Sequence, residues 1–397
     1  MSAEALDFPA SRGGCPFAPP AALAQLSRET PVGRITLRDG SQPWLVTRHA
    51  DVRALLRDER FSSSSDHPNF PFINEGIKAQ TMDAPARPFA RFDGAEHTRY
   101  RDALAADFTP RRVEALRPRI QQVVDDYLAA MIRHGSPADL LSEFALPIPS
   151  LVICELLGVD YEDREFFQTR SGLLTKTTAE PAQLQRALDE LIGYLTDLVD
   201  RKRRHPDDGI VSRLVAGDDL SDAEIAVTGM FLLVAGHETT ATQITMSALA
   251  LLRNPEQLAA LRMRPELIES AVEELLRYAS IVHSGAPRVA TEDVVVSGQR
   301  IAAGEGVLCV LDTANHDDAV FSAPSILDIT RGGRSHVAFG FGVHQCLGLQ
   351  LARVELQVAL ATLLRRLPSL RLNVGVDDLR FKEDGAIYGV HQLPVAW

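Results

Sequence analysis

The sequence predicts a mainly α-helical protein: one large domain over residues 1–397, with a helical body, a long central helix and a minor β region. Three observations carry this reading. Apolar residues recur with helical spacing over 49–61 and in successive stretches from 95 to 279, the stretch 221–254 is almost uncharged, and short β-branched runs are split between the two ends of the chain.

Each element follows from its own pattern. RITL (34–37) and WLVT (44–47) flank RDGSQ, a hairpin signature. HADVRALLRDERF (49–61) is helical, whereas 62–94 is rich in Ser, Pro, Phe and Gly with no sustained period and predicts a long functional loop. Helices are then expected over 95–108, 111–134, 150–157, 161–175 and 183–204. The stretch 221–254 opens with a Ser-x-x-Glu capping box and is apolar all round, as befits a helix in the middle of a large protein. Residues 265–279 form a conventional amphipathic helix. Beyond it VVVSG (294–298) and GVLCVL (306–311) read as strands, and 347–367 reads as a last helix, ending on two arginines before Pro368. The β-rich portions therefore lie near 34–47, 292–311 and 369–397.

Hydrophobic residues at 45% and charged residues at 24% exclude disordered, collagen-like and disulfide-scaffold classes. Lys+Arg 41 against Asp+Glu 53 gives a net charge of −12, a field that repels phosphate backbones and anionic lipid, so neither nucleic acid nor a membrane is the expected partner. Four scattered cysteines with no Cys-x-x-Cys suit a reducing compartment, and the N-terminal MSAEALDFPASRGG is neither apolar nor basic, so a cytoplasmic location is expected. The best span candidate, 225–236, is short and is followed by His237 and Glu238.

Chemistry concentrates in HVAFGFGVHQCLGLQLARVE (336–355), where Gly340, Gly342 and Gly348 crowd Cys346 at the start of a helix. A helix N-terminus favours thiolate over thiol. Such a thiolate attacks an electrophile or ligates a soft metal. No second cysteine or Cys/His pair completes a zinc site, and a lone thiolate suits a metal already held by four other ligands, as iron is in haem. Taken alone, the segment fits equally a buried cysteine beside a turn. In the centre of the apolar helix Glu238 and Thr239 place a carboxylate and a hydroxyl where burial without partners is costly. Glu274 and Arg277, at i and i+3, share one helix face.

Phe339-x-x-Gly342-x-His344-x-Cys346-x-Gly348 resembles the haem-binding loop of the cytochrome P-450 superfamily. Ala235-Gly236-His237-Glu238-Thr239-Thr240 resembles its oxygen-activating signature, and Glu274-Leu-Leu-Arg277 its Glu-x-x-Arg, with Arg331 or Arg334 as third member. The resemblance covers most of the chain and implies a single P-450-type fold. It implies a monooxygenase with haem b (iron protoporphyrin IX) ligated by Cys346, protons relayed by Glu238 and Thr239, and cofactor contacts from His97, Arg101, Arg288, His336, Phe339 and His344. The propionates need cations or strong donors, which the His and Arg residues of that set supply. The family's Ala-Asn-Arg-Asp-Pro reads Ala314-Asn315-His316-Asp317-Asp318 here, a departure that bears on local loop geometry. GCPFAPP, APRVATEDV and YGVHQLPVAW look most like the actinobacterial branch that tailors secondary metabolites and oxidises xenobiotics.

With no flavin or nicotinamide domain in the chain, electrons are expected from a separate ferredoxin and ferredoxin reductase. Two segments stand out as basic, 97–120 with six arginines and three acids and 331–366 with five arginines and one acid, and imply a docking face for an acidic ferredoxin. The substrate side, implied by resemblance, draws on 68–73, 168–182, Leu232, Ala235, Thr239, 281–286 and Ile387-Tyr388, mostly apolar, so a lipophilic small molecule is expected. Hydroxylation and epoxidation are the expected reactions, with oxidative C–C or C–N coupling as the alternative. Two rivals differ in class. A thiol enzyme using Cys346 with His344 as base leaves Glu238 and Thr239 unexplained, and a haem sensor or carrier has no need of that pair.

Overall fold

The computed structural model describes residues 8–73, 87–176 and 178–397. The centre of the expected 62–94 loop (74–86) and residue 177, within the expected 168–182 substrate segment, lie outside the described residues. The chain forms two compact units, one from Met1–Glu75, Met246–Cys346 and Arg380–His391, the other from Gly76–Thr245, Leu347–Leu379 and Gln392–Trp397.

The first unit is built on a five-stranded sheet in the order Val32–Arg34, Trp44–Val46, Gly306–Cys309, Ala286–Ala290, Phe61–Ser62. The hairpin exists, with Val32 opposite Val46 and Arg34 opposite Trp44, so its first strand starts two residues earlier than RITL suggested. Trp44–Val46 runs parallel to Gly306–Cys309 and the other pairings are antiparallel. Alternation along the strands divides the core in two. Val46, Val307 and Cys309 pack with Val52, Leu55 and Leu56 of the helix His49–Arg57, while Leu45, Leu308 and Val310 pack with Leu23 of the helix Ala21–Glu29. A fully apolar central strand follows, and Gly306–Cys309 is buried at every position. Asp317, from the stretch that departs from the family pattern, accepts the His49 N–H at 2.9 Å and so caps the helix that backs the cysteine loop.

The second unit is helical, with a small sheet in which Pro394–Ala396 lies between Ala138–Asp139 and Arg371–Leu372. The helix expected over 111–134 is two, Pro110–Ala115 and Arg117–His134; Pro118 lacks an N–H and is accommodated only in a first turn. The long helix Asp222–Arg253 starts as its sequence says: the Ser221 N–H and hydroxyl both donate to Glu224 at 2.7 and 2.8 Å, and the Glu224 N–H reaches back to Ser221 Oγ at 3.4 Å. Arg99, Ser221 and the Tyr100 hydroxyl together hold the Glu224 carboxyl down at about 2. Gly236 in this helix admits Ile153, whose Cγ1 would lie 2.9 Å from an added Cβ. The last helix is Leu349–Arg366. Among the described residues no helix is long and apolar enough to cross a membrane.

Candidate active site

In the first unit the cysteine loop is shaped by backbone and glycine. The Cys346 N–H donates to the Phe339 carbonyl at 2.9 Å, closing a loop in which Gly340 and Gly342 have φ +69° and +74°. Only glycine adopts that region without strain. At Gly342 the approach is also close, because an added Cβ would lie 2.3 Å from the Leu56 carbonyl oxygen of the helix His49–Arg57. Arg53 of the same helix lies over the Phe341 ring at 4.2 Å. Gly348 differs: its φ is −81° and nothing lies within 4 Å of an added Cβ. The helix begins at Leu349, three residues past the cysteine. No residue from 338 to 346 is buried, and Cys346 is exposed.

Cys15 is exposed too, whereas Cys154 and Cys309 are buried. Burial pushes the Cys154 and Cys309 thiols up to about 12, so neither is a nucleophile or ligand at neutral pH.

Of the expected cofactor contacts in this unit, Arg288 is buried in the strand Ala286–Ala290, opposite Val307, and its Nη1 donates to the Pro287 carbonyl at 2.7 Å. His344 is half-buried, in the short turn Gly342–His344 before the cysteine. Phe339 is half-buried as well. His336 is buried, its Nε2 meets Glu273 at 3.1 Å and its Nδ1 accepts the Ala338 N–H at 3.3 Å, so both ring nitrogens have partners within the unit.

The Glu274–Arg277 pair is internal, with both side chains 1% exposed. Arg277 Nε and Nη2 bind the two carboxylate oxygens at 2.7 and 2.8 Å, and Arg331 Nε reaches the same carboxylate at 3.1 Å. Arg331 is thus the third member, and Arg334 is exposed.

In the second unit His97 is buried and Arg101 half-buried, one turn apart on the helix Gly94–Ala105. The middle of the long helix opens where chemistry was expected: Ala235 is exposed and Glu238 and Thr239 are half-buried. Thr239 Oγ1 donates to the Ala235 carbonyl at 2.7 Å. His237 is fully buried against Phe167 and donates from Nδ1 to the Leu233 carbonyl at 2.6 Å, with burial holding its pKa below the ordinary imidazole range. Of the expected substrate-side residues, Phe70, Phe72, Leu232 and Tyr388 are buried in their own units, Tyr388 beneath Arg12 at 4.3 Å.

Sequence reasoning did not single out Glu273, Asn315 or His49. Asn315 Oδ1 accepts the Val337 N–H at 2.7 Å, and His49 Nε2 donates to the Ser335 carbonyl at 2.7 Å. Glu273 had a signal, a carboxylate on the apolar face of an amphipathic helix, and Asn315 had one in the Ala314-Asn315 that matches the start of the family's Ala-Asn-Arg-Asp-Pro; His49 had none.

The Cytochrome P450 family profile matches residues 28–379. Cytochrome P450-SU2 of Streptomyces griseolus is 55% identical over 99% of this chain and 98% of its own length. The 20-oxo-5-O-mycaminosyltylactone 23-monooxygenase of Streptomyces fradiae is 44% identical over 96% of this chain and 90% of its own. The crystal structure of GfsF superposes with a TM-score of 0.92 at 44% identity, covering 99% of this chain and 100% of that one. The chain belongs to the cytochrome P450 family, whose members are oxygen-dependent oxidoreductases with a haem-thiolate cofactor.

The residues present fit that group. The donor set has one exposed thiol and, in His97, Arg101, Arg288 and His344, groups suited to two carboxylates. Gly348 is a glycine that no neighbour and no φ angle requires, which leaves space for a flat ligand to lie close.

Proposed function

We propose that the protein hydroxylates or epoxidises a lipophilic small molecule, a bacterial secondary metabolite or xenobiotic, in the cytoplasm, with electrons from a separate ferredoxin and reductase. The observation that carries this is Cys346, exposed and held by its own backbone N–H in a loop of two left-handed glycines, in a chain of this family. The names of relatives support the substrate class, since the Streptomyces fradiae enzyme is a monooxygenase of a tylactone.

Haem b, held by a thiolate, supplies the oxygen-activating chemistry. The chain supplies the rest. Cys346 Sγ would ligate the haem iron, Phe339 would flank the group, and His97, Arg101, Arg288 and His344 would hold its propionates, while His336 binds Glu273. Thr239 Oγ1 holds its proton toward the Ala235 carbonyl, and the half-buried Glu238 carboxylate carries protons from solvent to that hydroxyl.

Most of the arginines that marked the basic segments are engaged within the protein. Arg99 binds Glu224, Arg117 binds Gln357 at 2.8 Å, Arg119 binds Glu155 at 3.0 Å and Arg353 is buried. Arg111, Arg112, Arg334 and Arg365 are exposed, and of these the adjacent pair Arg111 and Arg112 would present two cations to an acidic ferredoxin.

The absorption spectrum of the purified protein, reduced under carbon monoxide, tests the reading. A strongly red-shifted Soret band is expected for wild type and is lost in Cys346→Ser. A colourless protein, or a band typical of histidine ligation, refutes it.

A further inference from the structure

We propose that Glu273 is a positioning residue for the cysteine loop, acting through His336; this rests on Cys346 being the haem ligand. The two side chains are 8% and 3% exposed, with Nε2 3.1 Å from the carboxylate. On the other side of the ring, Nδ1 accepts the Ala338 N–H at 3.3 Å. A ring that accepts at Nδ1 carries its proton at Nε2, so Glu273 selects the tautomer that lets His336 hold Ala338. Without the carboxylate the other tautomer becomes accessible, and it places a proton against the Ala338 N–H.

The coupling continues to the ligand. The Phe339 ring lies 6.0 Å from the His336 ring, and the Phe339 carbonyl receives the Cys346 N–H at 2.9 Å. The same limb is anchored at Ser335 by His49 and at Val337 by Asn315, both at 2.7 Å. Glu273 thus controls the residue between two fixed points, and its loss loosens the loop without detaching it. The neighbouring Glu274 serves Arg277 and Arg331 and is a separate device. A polar cavity of about 200 Å³, lined in part by Glu273, Arg277, Arg331 and His336, lies alongside, so a truncated Glu273 leaves a hydrated site rather than a hole in dry core.

The test compares haem-loaded wild type, Glu273→Ala, Glu273→Gln and His336→Phe, each reduced under carbon monoxide. The rate at which the red-shifted Soret band gives way to the shorter-wavelength band of haem without its thiolate is followed. Glu273→Ala and His336→Phe are expected to convert about tenfold faster than wild type, as for loss of one buried hydrogen bond. Glu273→Gln keeps an acceptor and is expected within about twofold of wild type. Hydrogen exchange in the same proteins should quicken at Ala338 and Cys346 and stay unchanged in the helix Ile268–Ala279. If Glu273→Ala does not accumulate, His336→Phe carries the test. Conversion of the available variant at the wild-type rate, Glu273→Gln converting as fast as Glu273→Ala, or equally faster exchange throughout that helix overturns the proposal. A wild type with no red-shifted band at all refutes instead the ligand assignment beneath it.

Discussion

Glu355→Gln is expected to change how stability depends on pH, and the size of the change can be worked out. Glu355 is 1% exposed in the helix Leu349–Arg366, and among the described residues its Oε1 has no hydrogen-bond partner. Burial alone pushes its pKa from 4.5 up to about 8, so the native protein keeps the carboxyl protonated at neutral pH while the unfolded chain ionises. The native state then binds more protons than the unfolded state between those values, and stability falls as pH rises through that window. At 1.36 kcal/mol per unit, the wild type loses about 1 kcal/mol by pH 5, about 3 by pH 7 and about 4 by pH 8, approaching a limit of about 5. Glutamine has the same shape and does not titrate. Its amide brings an unmatched donor of its own, but that offset is independent of pH, so the informative quantity is the change in the difference between the two proteins. Urea unfolding of both haem-loaded proteins at pH 5, 6.5 and 8 should show the difference moving in favour of glutamine by about 3 kcal/mol. A difference constant across that range would mean that Glu355 is ionised and stabilised in the fold, and the reasoning from burial would fail.

The remaining predictions concern the loop, proton delivery and electron donor. Gly342→Ala, with φ +74° and a Cβ 2.3 Å from the Leu56 oxygen, should cost about 3 kcal/mol or more in urea unfolding; an unchanged midpoint would contradict the geometry. Gly348→Ala meets neither obstacle, so it should fold normally and lose haem content instead. Thr239→Val should leave the reduced carbon monoxide spectrum unchanged and lower product formed per electron about tenfold, with peroxide released in its place; full coupling would remove Thr239 from proton delivery. Arg111→Glu with Arg112→Glu should slow reduction by an acidic ferredoxin about tenfold at low salt, with the effect fading as salt rises, and a salt-independent rate would place the docking face elsewhere.

How much of this was legible in the sequence depended on whether the information was local. The long helix could be read because its capping box and its run of apolar residues act within a few turns, and both are where Ser221, Glu224 and the uncharged stretch placed them. The break at Leu116 was missed because Pro118 interrupts an otherwise continuous apolar period. At the candidate site, Cys346 announced itself through glycines a few residues away, and φ angles of +69° and +74° at Gly340 and Gly342 explain two of them. His336 shows the opposite case. Its alternative partner, Glu273, lies 63 residues earlier in the chain, and spacing alone cannot tell a histidine aimed at a cofactor from one aimed at a helix. The same holds for the arginines: a net charge counted along 97–120 cannot reveal that Arg99 caps a helix start through Glu224 or that Arg119 reaches Glu155. Charge along a chain sets the field at a distance, but which cations stay available to a partner is decided by carboxylates that folding brings from elsewhere. For this protein Arg111, Arg112, Arg334 and Arg365 are among the exposed arginines of the two basic segments, and the electron-donor hypothesis is tested at the adjacent pair Arg111 and Arg112.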